Sequence, residues 1–153
     1  MCAILDNSVR DMVFVSKPAT AAKKFREWIE SGRLRLVVGG HLKKELTDKE
    51  SVKDWLSEGE RKGFVEFVPD GKVDALTVKI HKSSVCKSND AHVLALAQVS
   101  GARLLYANDV ELEEDFRKKQ LIDKPRGVLY PKGTIKGGHH KWLHEHRDIC
   151  RKP

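Results

Sequence analysis

Two hydrophobic rhythms alternate along the chain: short unbroken apolar runs, and longer stretches whose apolar residues recur at helical spacing. Ala3-Ile4-Leu5 is the first short run, and it ends at Asp6-Asn7-Ser8. A mixed segment from Val9 to Val15 predicts a short turn or helix. Pro18-Ala19-Thr20 then opens a helix from about Ala21 to Glu30, with Ala22, Phe25, Trp28 and Ile29 on one face. Ser31-Gly32 ends it, and Leu34 to Val38 forms the second strand. Gly39-Gly40 turns the backbone sharply into a short helix, His41 to Leu46. Thr47-Asp48-Lys49-Glu50 has the form of a capping box, predicting a helix through about Lys62 with Val52, Trp55 and Leu56 inward. Phe64 to Val68 alternates as a strand and is closed by Pro69-Asp70-Gly71. Val73, Leu76, Thr77 and Ile80 share a helical face, and His81 to Lys87 is a polar connection.

The most organised stretch runs from Ser88 to Phe116. Asp90 lies in the first turn of a helix whose Ala91, Leu94, Ala95 and Ala97 to Val99 form a small-residue face suited to packing on a sheet. Gly101 stops that helix. Arg103 to Ala107 is a strand-like run that delivers Asn108-Asp109 at its carboxyl end, followed by a second helix. Gly127 to Tyr130 is a last short strand before Pro131. Strands and helices therefore alternate in a βαβ pattern, which predicts a three-layer α/β/α fold around a central, mainly parallel sheet with right-handed crossovers. Open sheets of this kind place their ligands beyond the carboxyl ends of the strands.

Length and composition add bounds. The 153 residues suit one compact core, here residues 1–131, followed by a basic, His-rich tail from 132 to 153. No run of about 18 apolar residues offers a membrane span. The opening MCAILDNSV lacks the charged n-region and long apolar core of a signal peptide, and reads as the first strand. Cys2, Cys86 and Cys150 are odd in number and scattered, which fits a reducing cytoplasm better than a disulfide framework.

Charge changes the picture further. The chain carries a net +7, yet residues 117–153 hold eleven Lys and Arg against three Asp and Glu, leaving the first 116 residues at −1. Four of the seven histidines also lie in this C-terminal quarter. Such a segment favours polyanions, because phosphate contacts release counterions. Lys132, Lys136, Lys141 and Arg147 are candidate substrate contacts there, and a solubilising tail is the plainer reading. One helix is predicted near Lys141 to Cys150. His140 and His144, and likewise His146 and Cys150, have the spacing of zinc ligands, but no close pair of Cys supports a zinc site.

Several chemistries lack their motifs. No GxGxxG follows the first strand, no GxxxxGK[ST] loop occurs, and no GxSxG elbow is present. What remains is four acids at element junctions: Asp6, Glu45, Asp90 and Asp109. Taken singly, Asp90 and Asp109 fit helix capping, and Glu45 fits a solvated charge. Taken together they fit a site better. Asp115 is a peripheral candidate, and Glu111, Glu113 and Glu114 read as helix surface.

These motifs resemble those of the PIN-domain nucleases, closest in size to the single-domain toxin ribonucleases of the VapC-like type. Asp6-Asn7-Ser8 looks like the opening Asp-x-Ser/Thr motif, and His41 to Leu46 resembles the helix bearing the second acid, Glu45. Asn89-Asp90-Ala91, with its Ala-rich helix and Gly101-Ala102, is similar to the third motif. Leu105 to Asp109 resembles the last, although Ala107 stands where the family more often has Thr or Ser. The resemblance covers about residues 1–131. It implies metal-dependent hydrolysis of RNA phosphodiester bonds, with Asp6, Asp90 and Asp109 as ligands of Mg²⁺ or Mn²⁺ and Glu45 as an outer ligand or water-orienting base. Ser8 and Asn108 would orient the carboxylates. A small antitoxin protein and a homodimer are the partners it implies. Two other readings stay open: a nucleic-acid-binding protein with an inactive site, and a flap-type DNA nuclease.

Overall fold

The computed structural model describes residues 1–150; the last three residues of the predicted tail, Arg151 to Pro153, lie outside them. Five strands form one sheet: β1 (Cys2–Leu5), β2 (Arg35–Val38), β3 (Val65–Phe67), β4 (Leu104–Tyr106) and β5 (Val128–Leu129). All neighbouring pairs are parallel, in the order β3-β2-β1-β4-β5. The helices are α1 (Arg10–Val13), α2 (Thr20–Glu30), α3 (Gly40–Thr47), α4 (Glu50–Lys62), α5 (Asp70–His81), α6 (Ala91–Ser100), α7 (Val110–Phe116) and α8 (Gly138–Glu145). They complete a three-layer α/β/α fold, as the alternation of rhythms predicts.

The central strands are buried and the edge strands less so. Ala3, Ile4 and Leu5 of β1, and Leu36, Val37 and Val38 of β2, are almost wholly buried. Such continuous apolar runs mark strands covered on both faces. α6 is buried nearly all round: every residue from Ala91 to Ala97 is buried, His92 included. Its small side chains let it pack deeply, where the sequence pattern predicts only one apolar face. Phe25 of α2 meets Tyr106 and Tyr130 at ring separations of 5.0 and 4.9 Å, and the two tyrosines lie 4.8 Å apart. The Tyr130 hydroxyl donates to the Ala21 carbonyl at 2.7 Å, fixing α2 to the chain beyond β5. Truncating Phe25 to Ala would remove the centre of this cluster, at about 3–5 kcal/mol.

Arg103 is the largest fully buried side chain. Its guanidinium donates to the carbonyls of Pro125, Ala97, Ala102 and Asp123, so the charge is surrounded by backbone acceptors. In a strand-like run this arginine joins α6 to the segment leading into β5, a role that the apolar pattern around it conceals.

Two predicted local features differ. The capping box at Thr47 does not form, because α3 continues through Thr47, whose hydroxyl donates back to the Lys43 carbonyl at 2.6 Å. Lys49 occupies the cap of α4 instead, without a side-chain bond. The C-terminal helix begins earlier than predicted, at Gly138. His139 and Leu143 of α8 are buried, Trp142 packs edge-on to Tyr130 at 5.6 Å, and the Trp28 indole donates to His140 Nδ1 at 3.2 Å. The segment after Pro131 thus lies against α2 and the aromatic cluster.

Candidate functional site

All strands run in one direction, so their carboxyl ends share one edge of the sheet. The chain passes from β1 outward to β2 and β3, then returns to β4 and β5 on the other side of β1. Loops leaving β1 and β4 diverge there, opening the crevice at which doubly wound sheets hold ligands. Asp6 follows β1 and Asp109 follows β4, one on each side of that switch. Glu45 lies on the second turn of α3, after β2, and Asp90 precedes α6. The β2–α3 turn is tight. Gly40 has φ +56°, and a Cβ there would fall 2.8 Å from Val73 Cγ1, so glycine is needed to bring Glu45 over the sheet edge.

Each acid is held differently. Asp6 is buried, and its carboxylate accepts from the Ser8 backbone at 3.0 Å and from the Ser8 hydroxyl. That hydroxyl oxygen accepts from the Asn108 backbone N–H at 2.9 Å, joining the end of β1 to the end of β4. Asp109 caps α7, accepting from the Leu112 N–H at 3.1 Å. Asp90 occupies the cap position of α6 but its side chain makes no capping bond, so the plain helix-cap explanation that holds for Asp109 fails for Asp90. Glu45 is fixed through its backbone, whose carbonyl accepts from Arg10 at 3.1 Å. Its Oε1 lies 3.2 Å from His41 Nε2 and 3.0 Å from His92 Nε2.

The electrostatics follow from crowding. The Asp90 carboxyl is pushed up to about 7 by burial, by the Asp6 charge, by a hydrogen bond shared with Asp109 and by the charges of Asp109 and Glu45. Glu45 is also raised, through burial and Asp6, with His41 opposing. Burial and His41 lower His92 to about 4 against the pull of Asp6, leaving its imidazole neutral near pH 7. The structure therefore brings Asp6, Glu45, Asp90 and Asp109 within electrostatic reach of one another, with neutral His92 among them. Glu45, Asp90 and His92 offer ligand atoms within 4.8 Å of one another, and among the described residues no other three His, Cys, Asp or Glu side chains come so close. Crowded carboxylates beside a buried imidazole nitrogen without a hydrogen bond make a donor set suited to a divalent cation. Sequence reading passes over both histidines. The available signals are local: His41 precedes Glu45 by one helical turn, and His92 follows Asp90 by two residues.

The remaining candidates fall in three places. Ser8 supports Asp6 directly, whereas Asn108 contributes through its backbone N–H, and its side-chain oxygen accepts from Lys132 at 3.4 Å. Lys132 stands beside the site but is paired with Glu113 at 2.7 Å. Lys136 is exposed, and Lys141 is exposed with only a 3.8 Å ion pair to Glu145. Arg147 lies elsewhere. It lines a cleft of about 830 Å³ with Cys2, Arg35, Lys72 and Cys150, and none of the four acids lines that cleft.

Asp115 is fully buried, and it shapes the site from behind. Its carboxylate accepts from the backbone N–H groups of Lys87 and Ser88 at 2.9 and 2.8 Å and pairs with Lys118 at 2.6 Å. It thereby anchors the segment that leads into Asp90. The zinc spacing in the tail is not realised: His140 accepts from Trp28, His146 Nδ1 contacts the Trp142 carbonyl, and Cys150 contacts Cys2. All three cysteines are free, although Cys2 and Cys150, remote in sequence, are neighbours in space.

The class these features define is an α/β sheet protein with an acidic cluster at its topological switch point. Comparison of the chain with family models, with curated proteins and with solved structures finds no match. The resemblance to PIN-domain nucleases therefore rests on the sequence motifs alone.

Proposed function

We propose that this protein is a metal-dependent endoribonuclease that hydrolyses RNA phosphodiester bonds in the cytoplasm. One observation carries the reading: four acids from four separate segments converge where β1 and β4 diverge, and they crowd Asp90 until its carboxyl holds a proton to about pH 7. A fold retains such repulsion when a cation relieves it. The family resemblance assigns Asp6, Asp90 and Asp109 to Mg²⁺ or Mn²⁺ and Glu45 the part of an outer ligand or water-orienting base; of these four, Asp90 and Glu45, together with His92, bring ligand atoms within 4.8 Å of one another. The bound ion would acidify that water and neutralise charge on the scissile phosphate. Ser8 keeps the Asp6 carboxylate aimed while tying β1 to β4, and the cap bond of Asp109 limits its rotation. Exposed Lys136 and Lys141 supply attraction for an extended polyanion. The toxin role, its small antitoxin and a homodimer follow from the family resemblance alone.

Among the described residues no helix is long and apolar enough to cross a membrane. The test is cleavage of a mixed RNA pool with Mg²⁺ or Mn²⁺, against EDTA and an Asp90→Asn control. Cutting that needs the metal and is lost in the variant is expected. Tight RNA binding without cutting under any metal would favour the binding-protein reading, and cutting of branched DNA alone would favour the flap-type nuclease.

A further inference from the structure

His92 distinguishes this acidic cluster from a plain carboxylate site. It is only 6% exposed, and its Nε2 makes no hydrogen bond. That nitrogen lies 3.0 Å from Glu45 Oε1, yet the approach is out of line for a hydrogen bond, so proximity does not satisfy it. The His41 ring stands edge-on to His92 at 5.0 Å and 84°, and its own Nε2 faces the same Glu45 oxygen at 3.2 Å. The other neighbours are acids: Asp90 completes the set of ligand atoms within 4.8 Å. A buried nitrogen left unpaired costs stability unless something outside the chain occupies it. A separation of about 3 Å is also what two adjacent ligands show when each lies roughly 2.1 Å from one octahedral ion.

We propose that Glu45, Asp90 and His92 form a mixed oxygen–nitrogen site that takes a first-row transition-metal dication, such as Mn²⁺, in preference to Mg²⁺. Two carboxylates alone would hold either ion as a hard cation. An imidazole nitrogen adds a donor that transition dications bind well and Mg²⁺ binds poorly. The burial of His92 holds the ring in place, so little ordering is needed on binding. This inference refines the metal requirement of the proposed nuclease and rests on that reading for its catalytic meaning, while ion binding itself is measured without RNA.

The experiment is an electron paramagnetic resonance titration of the full chain with Mn²⁺, followed by competition with Mg²⁺, in the wild type and in His92→Gln. The wild type should bind Mn²⁺ at least tenfold more tightly than Mg²⁺. His92→Gln should lower that preference about tenfold while leaving Mg²⁺ affinity within twofold. A second measurement needs no variant: the ¹⁵N spectrum of the wild-type imidazoles with one equivalent of Zn²⁺ should move the His92 Nε2 resonance to its metal-bound position. An unchanged metal preference in His92→Gln, or an unmoved His92 nitrogen at saturating Zn²⁺, would overturn the proposal. Ion binding through His92 in a protein that cuts no nucleic acid would sink the nuclease reading alone. Cleavage with Mg²⁺ and no role for His92 would sink only this inference.

Discussion

Asp90 precedes α6 and Asp115 lies on the next helix, α7, and the fold treats them in opposite ways. Asp115 is fully enclosed and fully answered, by Lys118 and by two backbone N–H groups. Burial pushes its carboxyl up, but Lys118 and the Ser88 and Lys87 amides outweigh that and hold it below the ordinary value. Asp90 is less buried, makes no capping bond and faces three other acids, so its carboxyl rises. The two carboxylates thus differ in burial and, more tellingly, in company. The satisfied one builds scaffold, and the crowded one is left with capacity for a ligand.

The largest expected difference is in rate. Asp90→Asn removes a proposed ligand while keeping the shape, and should lower metal-dependent RNA cleavage by about a thousandfold, roughly 4 kcal/mol of transition-state stabilisation. Its melting temperature should not fall. A large loss of stability with residual cleavage would reverse the roles assigned to the two acids.

Asp115→Ala should do the opposite. It strands Lys118 and two backbone donors, at about 3 kcal/mol, or a fall of roughly 10 °C in melting temperature for a chain of this size. A change under about 2 °C in calorimetry would break the comparison, because the bonded carboxylate would then be holding nothing in place.

A third test concerns the charges that face solvent. Deleting the tail from Lys132 onward would also remove Leu143, His139 and Trp142 from their packing on α2 and the aromatic cluster, so lost binding would be confounded by lost stability. Reversing the exposed charges avoids this. Lys136→Glu with Lys141→Glu should weaken RNA binding about tenfold at low salt and flatten its dependence on salt, each lost phosphate contact lowering the slope by about 0.7. Unchanged binding in both respects would reduce these lysines to solubilising surface.

The smallest effect is also the most direct comparison. The Asp90 carboxyl starts from 3.8 and is raised to about 7, so the folded protein keeps a proton that the unfolded chain releases. The stability it contributes is full below about 4 and lost as pH rises to about 7. Asp115 is lowered from 3.8, so its contribution is full above that value and lost as pH falls through its folded value. In metal-free buffer with EDTA, the advantage in melting temperature of Asp90→Asn over wild type should grow by a few degrees between pH 4 and 7, then stay flat. The deficit of Asp115→Ala should stay flat above pH 5 and shrink in stronger acid. His92 has the reverse slope to Asp90 between about 4 and 6.5, but it is common to both proteins in each difference. Parallel curves for Asp90→Asn and wild type would show that the acids do not crowd one another.

Much of this is legible in the chain without any tertiary contact. Alternating apolar runs and helical stretches determine the α/β class, and turn residues such as Gly39-Gly40 and Gly101 determine where elements change. The acids can be placed at junctions because a strand that runs through the core must end in polar residues at the sheet edge. Local patterns mislead where a neighbour intervenes: Thr47 is helical rather than capping, and α8 begins early because Leu143 and Trp142 have a surface to meet.

The sequence alone determined which residues stand at the ends of elements; only the tertiary structure decided which of those ends meet. Strand order β3-β2-β1-β4-β5 sets the end of β1, with Asp6, beside the end of β4, with Asp109, which no local spacing predicts. Asp115 belongs to the scaffold and His92 to the site for the same reason. A carboxylate or an imidazole has the same covalent chemistry in every setting, and its role depends on the charges and donors within a few ångströms, most of which arrive from other elements.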